Sequence, residues 1–122
     1  MAHNPGFLKL VNEARARVKE IDLPAYRKMR ESGEEHILVD TREESEWAAG
    51  HVAGAVHLSK GIIERDIETK VPDHDATLVL YCGGGFRSAL VADNLRQMGY
   101  TNAISLDGGW RALKDSGIPL EK

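Results

Sequence analysis

The chain alternates short, continuously apolar runs with segments in which apolar residues recur every three or four positions. The apolar runs are residues 37–39, 52–58, 78–81 and 103–106. Unbroken apolar character of this kind is typical of strands that are buried on both faces. Helical periodicity occurs in residues 24–30, 43–49, 62–70, 88–98 and 110–116. The alternation predicts an α/β fold with a parallel sheet and helices on both of its faces.

The beginning of the chain fits two interpretations. Asn4-Pro5 is a helix-start signal, and one helical face then runs through Phe7, Val11, Ala14, Val18 and Ile21. Residues 18–21 fit a short strand equally well, with Asp22 as the cap of a second helix that Gly33 closes. We therefore expect a helical extension at residues 1–17 and the main domain at residues 18–122. The extension is expected to pack over the sheet or to mediate dimerisation, so the protein is predicted to be a monomer or a homodimer.

Size and charge narrow the class of protein. A chain of 122 residues is the length of one domain, and 42% hydrophobic with 29% charged residues is an ordinary globular composition. The 16 basic residues are outnumbered by 19 acidic ones, which argues against nucleic-acid binding through a basic face. No apolar run approaches the roughly 18 residues of a membrane span, and no signal-peptide pattern is present. We expect a cytoplasmic protein that binds neither nucleic acid nor membrane.

Polar residues follow three of the predicted strands at the points where those strands end. The three loops are residues 40–42, 59–61 and 82–87. In open parallel sheets, ligands bind outside the carboxyl ends of the strands. We therefore expect the fold to bring these three loops together at one edge of the sheet and to form a site there.

The loop after the strand at residues 78–81 carries the strongest chemical signal. Cys82 is the only cysteine, which excludes an internal disulfide and a multi-cysteine metal site. The next residues are Gly83, Gly84, Gly85, Phe86, Arg87 and Ser88, and a helix is predicted from about Ser88. Such a glycine loop turns successive N–H groups inward at a helix N-terminus and forms an anion-binding nest. The nest, the helix dipole and Arg87 would all stabilise a Cys82 thiolate.

A purely structural interpretation of this loop also exists. Cys82 would then be a small apolar residue packed at the end of a strand, and the glycines would only make a tight turn. The three glycines, the arginine and the helix start all accompany the cysteine. This convergence favours a reactive thiol, with the nest amides available to hold negative charge on a bound substrate.

Three segments resemble the rhodanese family of sulfurtransferases. The loop from Cys82 to Ser88 is similar to the family's six-residue active-site loop, with Gly85 and Arg87 at the matching positions. Residues 38–58, LVDTREESEWAAGHVAGAVHL, are similar to its N-terminal signature, and residues 106–110, LDGGW, are similar to its C-terminal one. The resemblance implies a single-domain rhodanese-like fold at residues 18–122, with a mainly parallel five-stranded sheet and helices on both faces.

The resemblance also implies a reaction. The cysteine of such a protein attacks the outer sulfur of a donor such as thiosulfate, and a persulfide remains on the enzyme. A thiophilic acceptor then takes the sulfur: cyanide in an assay, or a thiol or a protein in the cell. Cys82 would be the nucleophile, and Arg87 would bind the donor and offset charge on departing sulfite. The substrate-binding set would be Gly83, Gly84, Gly85, Phe86, Arg87 and Ser88, with no metal or organic cofactor.

Two other functions compete with sulfur transfer. Cysteine phosphatases also hold an oxyanion over a thiolate, but they have five residues between cysteine and arginine, whereas four intervene here. The shorter ring of N–H groups suits a single sulfur better than a phosphoryl group. The second alternative is a regulatory or sulfur-carrier module without turnover, which the presence of both Cys82 and Arg87 disfavours.

Several other polar residues have structural interpretations that compete with catalytic ones. Asp40 and Arg42 follow a strand, and we expect them to form an internal ion pair that braces the loop. His51 and His57 lack metal-site spacing and are expected to fix residues 50–58 by hydrogen bonds. Lys60 either adds positive charge to the mouth of the site or is simply solvated.

Overall fold

Helices and strands alternate along almost the whole chain in the computed structural model, which describes residues 3–122. Within these residues the helices are α1 (Pro5–Arg15), α2 (Leu23–Glu31), α3 (Glu44–Ala49), α4 (Ile63–Lys70), α5 (Phe86–Gln97) and α6 (Gly109–Leu113). The strands are β1 (Lys19–Ile21), β2 (Ile37–Asp40), β3 (His51–Val52), β4 (Val56–His57), β5 (Leu78–Tyr81), β6 (Ala103–Leu106) and β7 (Leu120–Glu121). None of the helices among residues 3–122 has the length and apolar character that crossing a bilayer requires.

Five strands form one sheet in the order β1-β6-β5-β2-β4, and every neighbouring pair is parallel. The predicted α/β fold with a parallel sheet is therefore confirmed. β5 lies at the centre, paired with β2 on one side and β6 on the other. Its four residues are all buried, as its continuous apolar sequence predicts.

Successive residues of β5 enter two separate cores on opposite faces of the sheet. Leu78 and Leu80 pack in one core with α4 and α5, where the buried helix residues are Ile63, Ile67, Val91, Ala92 and Leu95. Val79 and Tyr81 pack in the other core, whose helix residues are Tyr26 of α2 and Leu113 of α6. Because side chains alternate across a strand, this division places helices on both faces, as predicted.

The strand interpretation of residues 18–21 is the correct one. The helical pattern ends at Arg15, and β1 pairs with β6 at the edge of the sheet. Asp22 caps α2, with its carboxylate accepting the Ala25 N–H at 3.0 Å. The predicted extension at residues 1–17 thus contains α1, although its first two residues lie outside the described part of the chain.

The apolar run at residues 52–58 is not one strand, and this prediction was wrong. A turn in which the Ala55 N–H donates to the Val52 carbonyl divides the run. β3 pairs antiparallel with β7 in a separate ribbon, while β4 joins the main sheet beside β2. β7 was not predicted because its two exposed residues have no apolar pattern and depend on a distant partner.

Two of the predicted helix boundaries in the second half of the chain move by more than one residue. α5 begins at Phe86, two residues before the predicted start, because Gly85 already serves as its N-cap. α6 ends at Leu113 rather than at Ser116, since the Ser116 N–H donates to the Leu113 carbonyl in a tighter turn. Boundaries of this kind depend on capping geometry more than on apolar periodicity.

A buried carboxylate joins the N-terminal region to α5. α1 packs on α5 through the buried side chains of Val11 and Ala14. Asp93 of α5 accepts hydrogen bonds from Arg17, the shortest at 2.7 Å, and from Arg96 at 3.1 Å. The hydrogen bonds from Arg17, followed by those from Arg96, hold the pKa of the Asp93 carboxyl below its ordinary value. The charged form of Asp93 therefore stabilises the folded chain.

Replacing Asp93 with asparagine tests this link. We expect Asp93→Asn to lower the free energy of unfolding at pH 7 by about 1–2 kcal/mol, because charge-assisted hydrogen bonds to a buried acceptor are lost. A depressed pKa stabilises the fold above the unfolded pKa, so the difference between the two proteins should shrink as pH falls below about 4. Urea unfolding at several pH values measures this difference in the free energy of unfolding. The control is Asp115→Asn, at an exposed residue that forms no ion pair within residues 3–122. An equal loss in both variants would contradict the assignment.

Candidate active site

The three polar loops meet at one edge of the sheet, as predicted. Thr41 donates to the Tyr81 carbonyl through both its backbone N–H and its hydroxyl, each at 2.9 Å. The Lys60 N–H donates in turn to the Thr41 carbonyl at 3.0 Å. The carboxyl ends of β2, β4 and β5 are thereby tied together, and Cys82 follows directly after β5.

The backbone of the glycine loop closes around the sulfur of Cys82. The Gly85 N–H points at Sγ from 3.1 Å and the Ser88 N–H from 3.3 Å. The thiol itself donates to the Ser88 hydroxyl oxygen across 3.5 Å, and that hydroxyl shares a 2.8 Å hydrogen bond with Ser105. The sulfur also lies beside the N-terminus of α5, where the helix dipole is positive. Two backbone N–H groups and the N-terminus of α5 therefore face the Cys82 sulfur.

The loop is held from its other side by the start of α6. The Trp110 N–H donates to the Cys82 carbonyl at 2.7 Å, and the Arg111 N–H donates to the Gly83 carbonyl at 3.1 Å. Gly109 approaches so closely that a side chain there would collide with the Cys82 carbonyl oxygen. A side chain at Gly85, where φ is 101°, would lie 3.2–3.3 Å from the backbone of residues 106–108, which is a tight contact but not a collision. Two glycines therefore permit the contact between the loop and α6.

Arg87 does not point freely into solvent, because Glu46 of α3 binds it. Its two terminal nitrogens donate to the two Glu46 carboxylate oxygens at 3.0 and 3.2 Å. The hydrogen bonds from Arg87 are the main cause that lowers the pKa of the Glu46 carboxyl. Glu46 also accepts the Glu43 N–H and so completes the capping box of α3. The ion pair fixes the Arg87 side chain at the wall of the site and offsets part of its charge.

A cavity of about 240 Å³ opens above Cys82. Cys82 is only 1% exposed, but it is one of the residues that face the cavity. The complete lining is His3, Phe7, Cys82, Gly84, Phe86, Arg87 and Arg111. Of the residues expected to bind substrate, Gly84, Phe86 and Arg87 line this space. Gly83, Gly85 and Ser88 do not line it: the N–H groups of Gly85 and Ser88 point at Sγ, and the Gly83 carbonyl accepts the Arg111 N–H.

Four residues at this site were not identified from the sequence. Glu46 is one of several acidic residues in a short segment, and its pairing with Arg87 has no local signal. Arg111 follows the similar segment LDGGW without belonging to it. His3 carries no local signal and Phe7 was expected only on a helix face, yet both are half-buried beside Phe86. Only the docking of α1 on α5 brings them to the cavity.

The other polar residues expected at this edge do not line the cavity. Arg42 forms a buried, two-pronged ion pair with Asp40, with a shortest distance of 2.8 Å, and its guanidinium also lies over the Trp110 ring. This arrangement is the predicted internal brace. His51 and His57 bond to backbone carbonyls, of Trp47 and Arg42 respectively. Lys60 is not among the residues that line the cavity above Cys82.

A second cavity of about 310 Å³ lies at the opposite edge of the sheet, before β2 and β5 begin. Its lining includes Glu35, His36, Asp73, Asp75 and Thr77. It contains no cysteine, and ligands of parallel sheets bind at the carboxyl ends of the strands instead. The smaller cavity above Cys82 is therefore the candidate active site.

Comparisons of sequence and structure find known proteins that are similar to this chain. The sequence model of the rhodanese-like domain family matches residues 22–116 of this chain. YtwF of Bacillus subtilis, which its name assigns provisionally to the sulfurtransferases, is 36% identical over 102 residues, covering 84% of this chain and 96% of YtwF. The thiosulfate sulfurtransferase PspE of Escherichia coli is 32% identical, covering 69% of this chain and 77% of PspE. Among solved structures, RPA3614 of Rhodopseudomonas palustris, described as a possible tyrosine phosphatase, is 27% identical with a TM-score of 0.85 and covers 99% of this chain and 98% of its own.

The contact between Gly109 and Cys82 leads to a test of the loop's support. We expect Gly109→Ala to lower the free energy of unfolding by at least about 2 kcal/mol, because the new methyl group collides with backbone and alanine is strained at φ 47°. The control is Gly117→Ala, where φ is 85° and nothing lies within 4 Å, so that only conformational strain is added. Urea unfolding compares the two variants. Equal losses would show that the close approach does not matter.

Proposed function

The chain belongs to the rhodanese-like domain family, and on that premise we propose that it is a sulfurtransferase that carries sulfur as a persulfide on Cys82. The observation that supports this most directly is the cradle around Sγ. Two N–H groups point at a single sulfur at the bottom of an open cavity, and the thiol donates to the Ser88 hydroxyl. A buried structural cysteine needs neither the converging donors nor the cavity.

The first half-reaction follows from this geometry. The Cys82 thiolate attacks the outer sulfur of thiosulfate or a similar donor, and the S–S bond of the donor breaks. Sulfite leaves with the bonding electron pair, and Cys82 retains one extra sulfur as a persulfide anion. The reaction needs no oxidant and no proton transfer. The N–H groups of Gly85 and Ser88 hold negative charge near the sulfur atoms throughout the step.

The second half-reaction needs a thiophilic acceptor from outside. Cys82 is the only cysteine, so no second thiol of this chain is available to receive the sulfur. An acceptor thiol, an acceptor protein or cyanide attacks the outer sulfur of the persulfide and regenerates the thiolate. This chemistry requires a reduced Cys82, and we therefore assign the protein to a reducing compartment such as the cytoplasm.

Phosphate-ester hydrolysis is the second candidate, because RPA3614 is described as a possible tyrosine phosphatase. A phosphatase loop must point its N–H groups at the oxygens of a phosphoryl group above the cysteine. In this loop, four residues separate Cys82 from Arg87, and the N–H groups of Gly85 and Ser88 point at Sγ itself. This tight closure favours sulfur transfer.

Mass spectrometry of the intact protein tests the proposed function. After incubation with thiosulfate and removal of excess donor, we expect the wild type to gain the mass of one sulfur atom and to lose it again on addition of cyanide. Cys82→Ser should gain nothing, since a serine hydroxyl does not form a persulfide.

The same two proteins also test the competing functions. The absence of any sulfur gain in the wild type with thiosulfate and with organic sulfur donors would overturn the proposal. Hydrolysis of 4-nitrophenyl phosphate by the wild type but not by Cys82→Ser would support the phosphatase instead.

Arg87 is proposed to bind the anionic donor in addition to its ion pair with Glu46. We expect Arg87→Ala to lower kcat/KM for thiosulfate by roughly 10²–10³-fold, as the loss of an oxyanion partner does. Glu46→Gln is the matched control, because it removes the charge that pairs with Arg87 and keeps the Arg87 guanidinium itself. If Arg87 contacts the donor, Glu46→Gln retains most of the activity. If both variants lose activity equally, Arg87 acts only by bracing the loop.

A further inference from the structure

A serine interrupts the buried strand β6, whose other residues are apolar. Ser105 is completely buried, and its neighbours Ile104 and Leu106 are buried as well. Because side chains alternate across a strand, Ser105 lies on the same face of the sheet as Ala103, which packs in the core that contains α5. Burying a hydroxyl in such a core costs free energy unless the hydroxyl is hydrogen-bonded. The Ser105 side chain therefore needs a polar partner.

That partner is a serine that also contacts the sulfur. Among residues 3–122, the Ser105 side chain bonds to the Ser88 hydroxyl, at 2.8 Å between the two oxygens. Ser88 is completely buried too, and its Oγ lies 3.5 Å from Sγ of Cys82. Neither serine lines the cavity above Cys82. We call these three linked groups, Ser105, Ser88 and Cys82, the hydroxyl chain, and it reaches the sulfur from inside the protein.

The hydrogen bonds of the hydroxyl chain can run in two directions, because either serine can donate to the other. When Cys82 is a thiol, it donates to Ser88, and Ser88 donates to Ser105. The Ser105 proton then has no acceptor within the chain. An anionic sulfur only accepts, so Ser88 turns its proton toward Sγ and Ser105 donates to Ser88. Every proton of the hydroxyl chain then has an acceptor within it.

The anionic sulfur therefore gains more from Ser105 than the thiol does. A hydrogen bond to an ionised acceptor is about twice as strong as one between neutral groups, and a donor to the Ser88 oxygen polarises the Ser88 O–H further. Ser105 also competes with the backbone for Ser88, since serine hydroxyls inside helices otherwise turn back to a carbonyl of the preceding turn. Both effects keep the Ser88 proton directed at the sulfur.

We propose that Ser105 is a positioning residue for sulfur transfer, acting through Ser88 to direct the Ser88 hydroxyl proton at the anionic Cys82 sulfur. The role rests on the proposed function, in which Cys82 attacks the donor as a thiolate. No proton leaves either serine, because each hydroxyl only turns about its Cβ–Oγ bond, and no further reactant is required. Ser105 lies outside the cavity and bonds to Ser88 rather than to the sulfur, so it is not a catalytic residue.

The pH profile of Cys82 alkylation tests this role without requiring sulfur transfer. The rate constant for iodoacetamide is measured from the intact mass at a series of pH values, since the thiolate is the reacting form. We expect Ser105→Ala to move the midpoint of this profile to higher pH by about 0.5–1 pH unit. This shift is a roughly three- to tenfold change in the equilibrium between thiol and thiolate, as the loss of one neutral hydrogen bond gives. An unshifted midpoint would overturn the proposal.

A second substitution shows whether Ser105 acts through Ser88. We expect Ser105→Ala to have no further effect on the midpoint in a Ser88→Ala background, because the link between Ser105 and the sulfur is already missing there. The interaction between the two substitutions is thereby measured directly. If Ser105→Ala shifts the midpoint equally in both backgrounds, Ser105 does not act through Ser88 and the proposal fails.

Two variants of equal size separate the hydroxyl from the volume of the side chain. Ser105→Thr keeps the hydroxyl, and Ser105→Val has nearly the same shape without it. We expect the threonine variant to retain the wild-type midpoint and the valine variant to shift like Ser105→Ala. Equal midpoints in the two would contradict a role for the hydroxyl. Thermal unfolding establishes which variants are folded, and this pair decides the question if Ser105→Ala does not fold.

Ser116→Ala is the matched control. It removes the hydroxyl of another buried serine, which donates to the Leu113 carbonyl and accepts the Ile118 N–H, so the midpoint should not move.

The charged or titratable groups that face the Cys82 loop are unchanged in every variant. They are Arg87 on α5, its partner Glu46 on α3, Arg111 on α6 and His3 before α1.

Sulfur loading from thiosulfate separates this proposal from the proposed function. Below the midpoint, Ser105→Ala should gain sulfur mass about three- to tenfold more slowly than the wild type, and the two rates should converge above it. Equal loading rates at every pH would overturn the role of Ser105 and leave the proposed function intact. A wild type that gains no sulfur from any donor would overturn the proposed function, while the alkylation profiles would still show whether Ser105 acts on the sulfur.

Discussion

The site depends on one constraint: the backbone between Cys82 and Ser88 must close on a single sulfur. Two N–H groups can point at Sγ only if the loop curls through Gly85 and then enters α5 without a break. The curl is kept closed by the hydrogen bond from the Trp110 N–H to the Cys82 carbonyl. The start of α6 therefore holds the loop closed around the sulfur together with the glycines of the loop. A displaced α6 would open the cradle even with every loop residue intact.

One buried ion pair supports the closure of this loop indirectly. Asp40 and Arg42 lie buried after β2, and the Arg42 guanidinium rests on the ring of Trp110. Trp110 in turn donates its N–H to the loop. A buried ion pair of this kind adds little net stability, but removing one partner leaves the other charged and unpaired. The pair therefore fixes geometry: it connects the end of β2 to the residue that holds the Cys82 carbonyl.

The sequence predicts most of the sheet, because β2, β5 and β6 are buried on both faces and are therefore continuous apolar runs in the sequence. It predicts the Cys82 loop for a similar reason, since the cysteine, glycines and arginine are contiguous. The division of residues 52–58 between two sheets could not be predicted, because β3 is paired with a strand near the other end of the chain. Glu46, Arg111, His3 and Phe7 could not be predicted as residues of the site for a similar reason. Each reaches the site through tertiary packing and has no signature of its own.

The contact between Phe7 and Phe86 beside the cavity bears on the order in which the molecule is assembled. Phe7 and Phe86 are separated by 79 positions in the chain. During synthesis α1 emerges first and stays without its partner until α5 has been made. Contacts over such a separation require the closure of a long loop before they can form. The N–H groups that point at the Cys82 sulfur belong to one loop and the helix that follows it, whereas the cavity above the sulfur is completed only when α1 packs on α5.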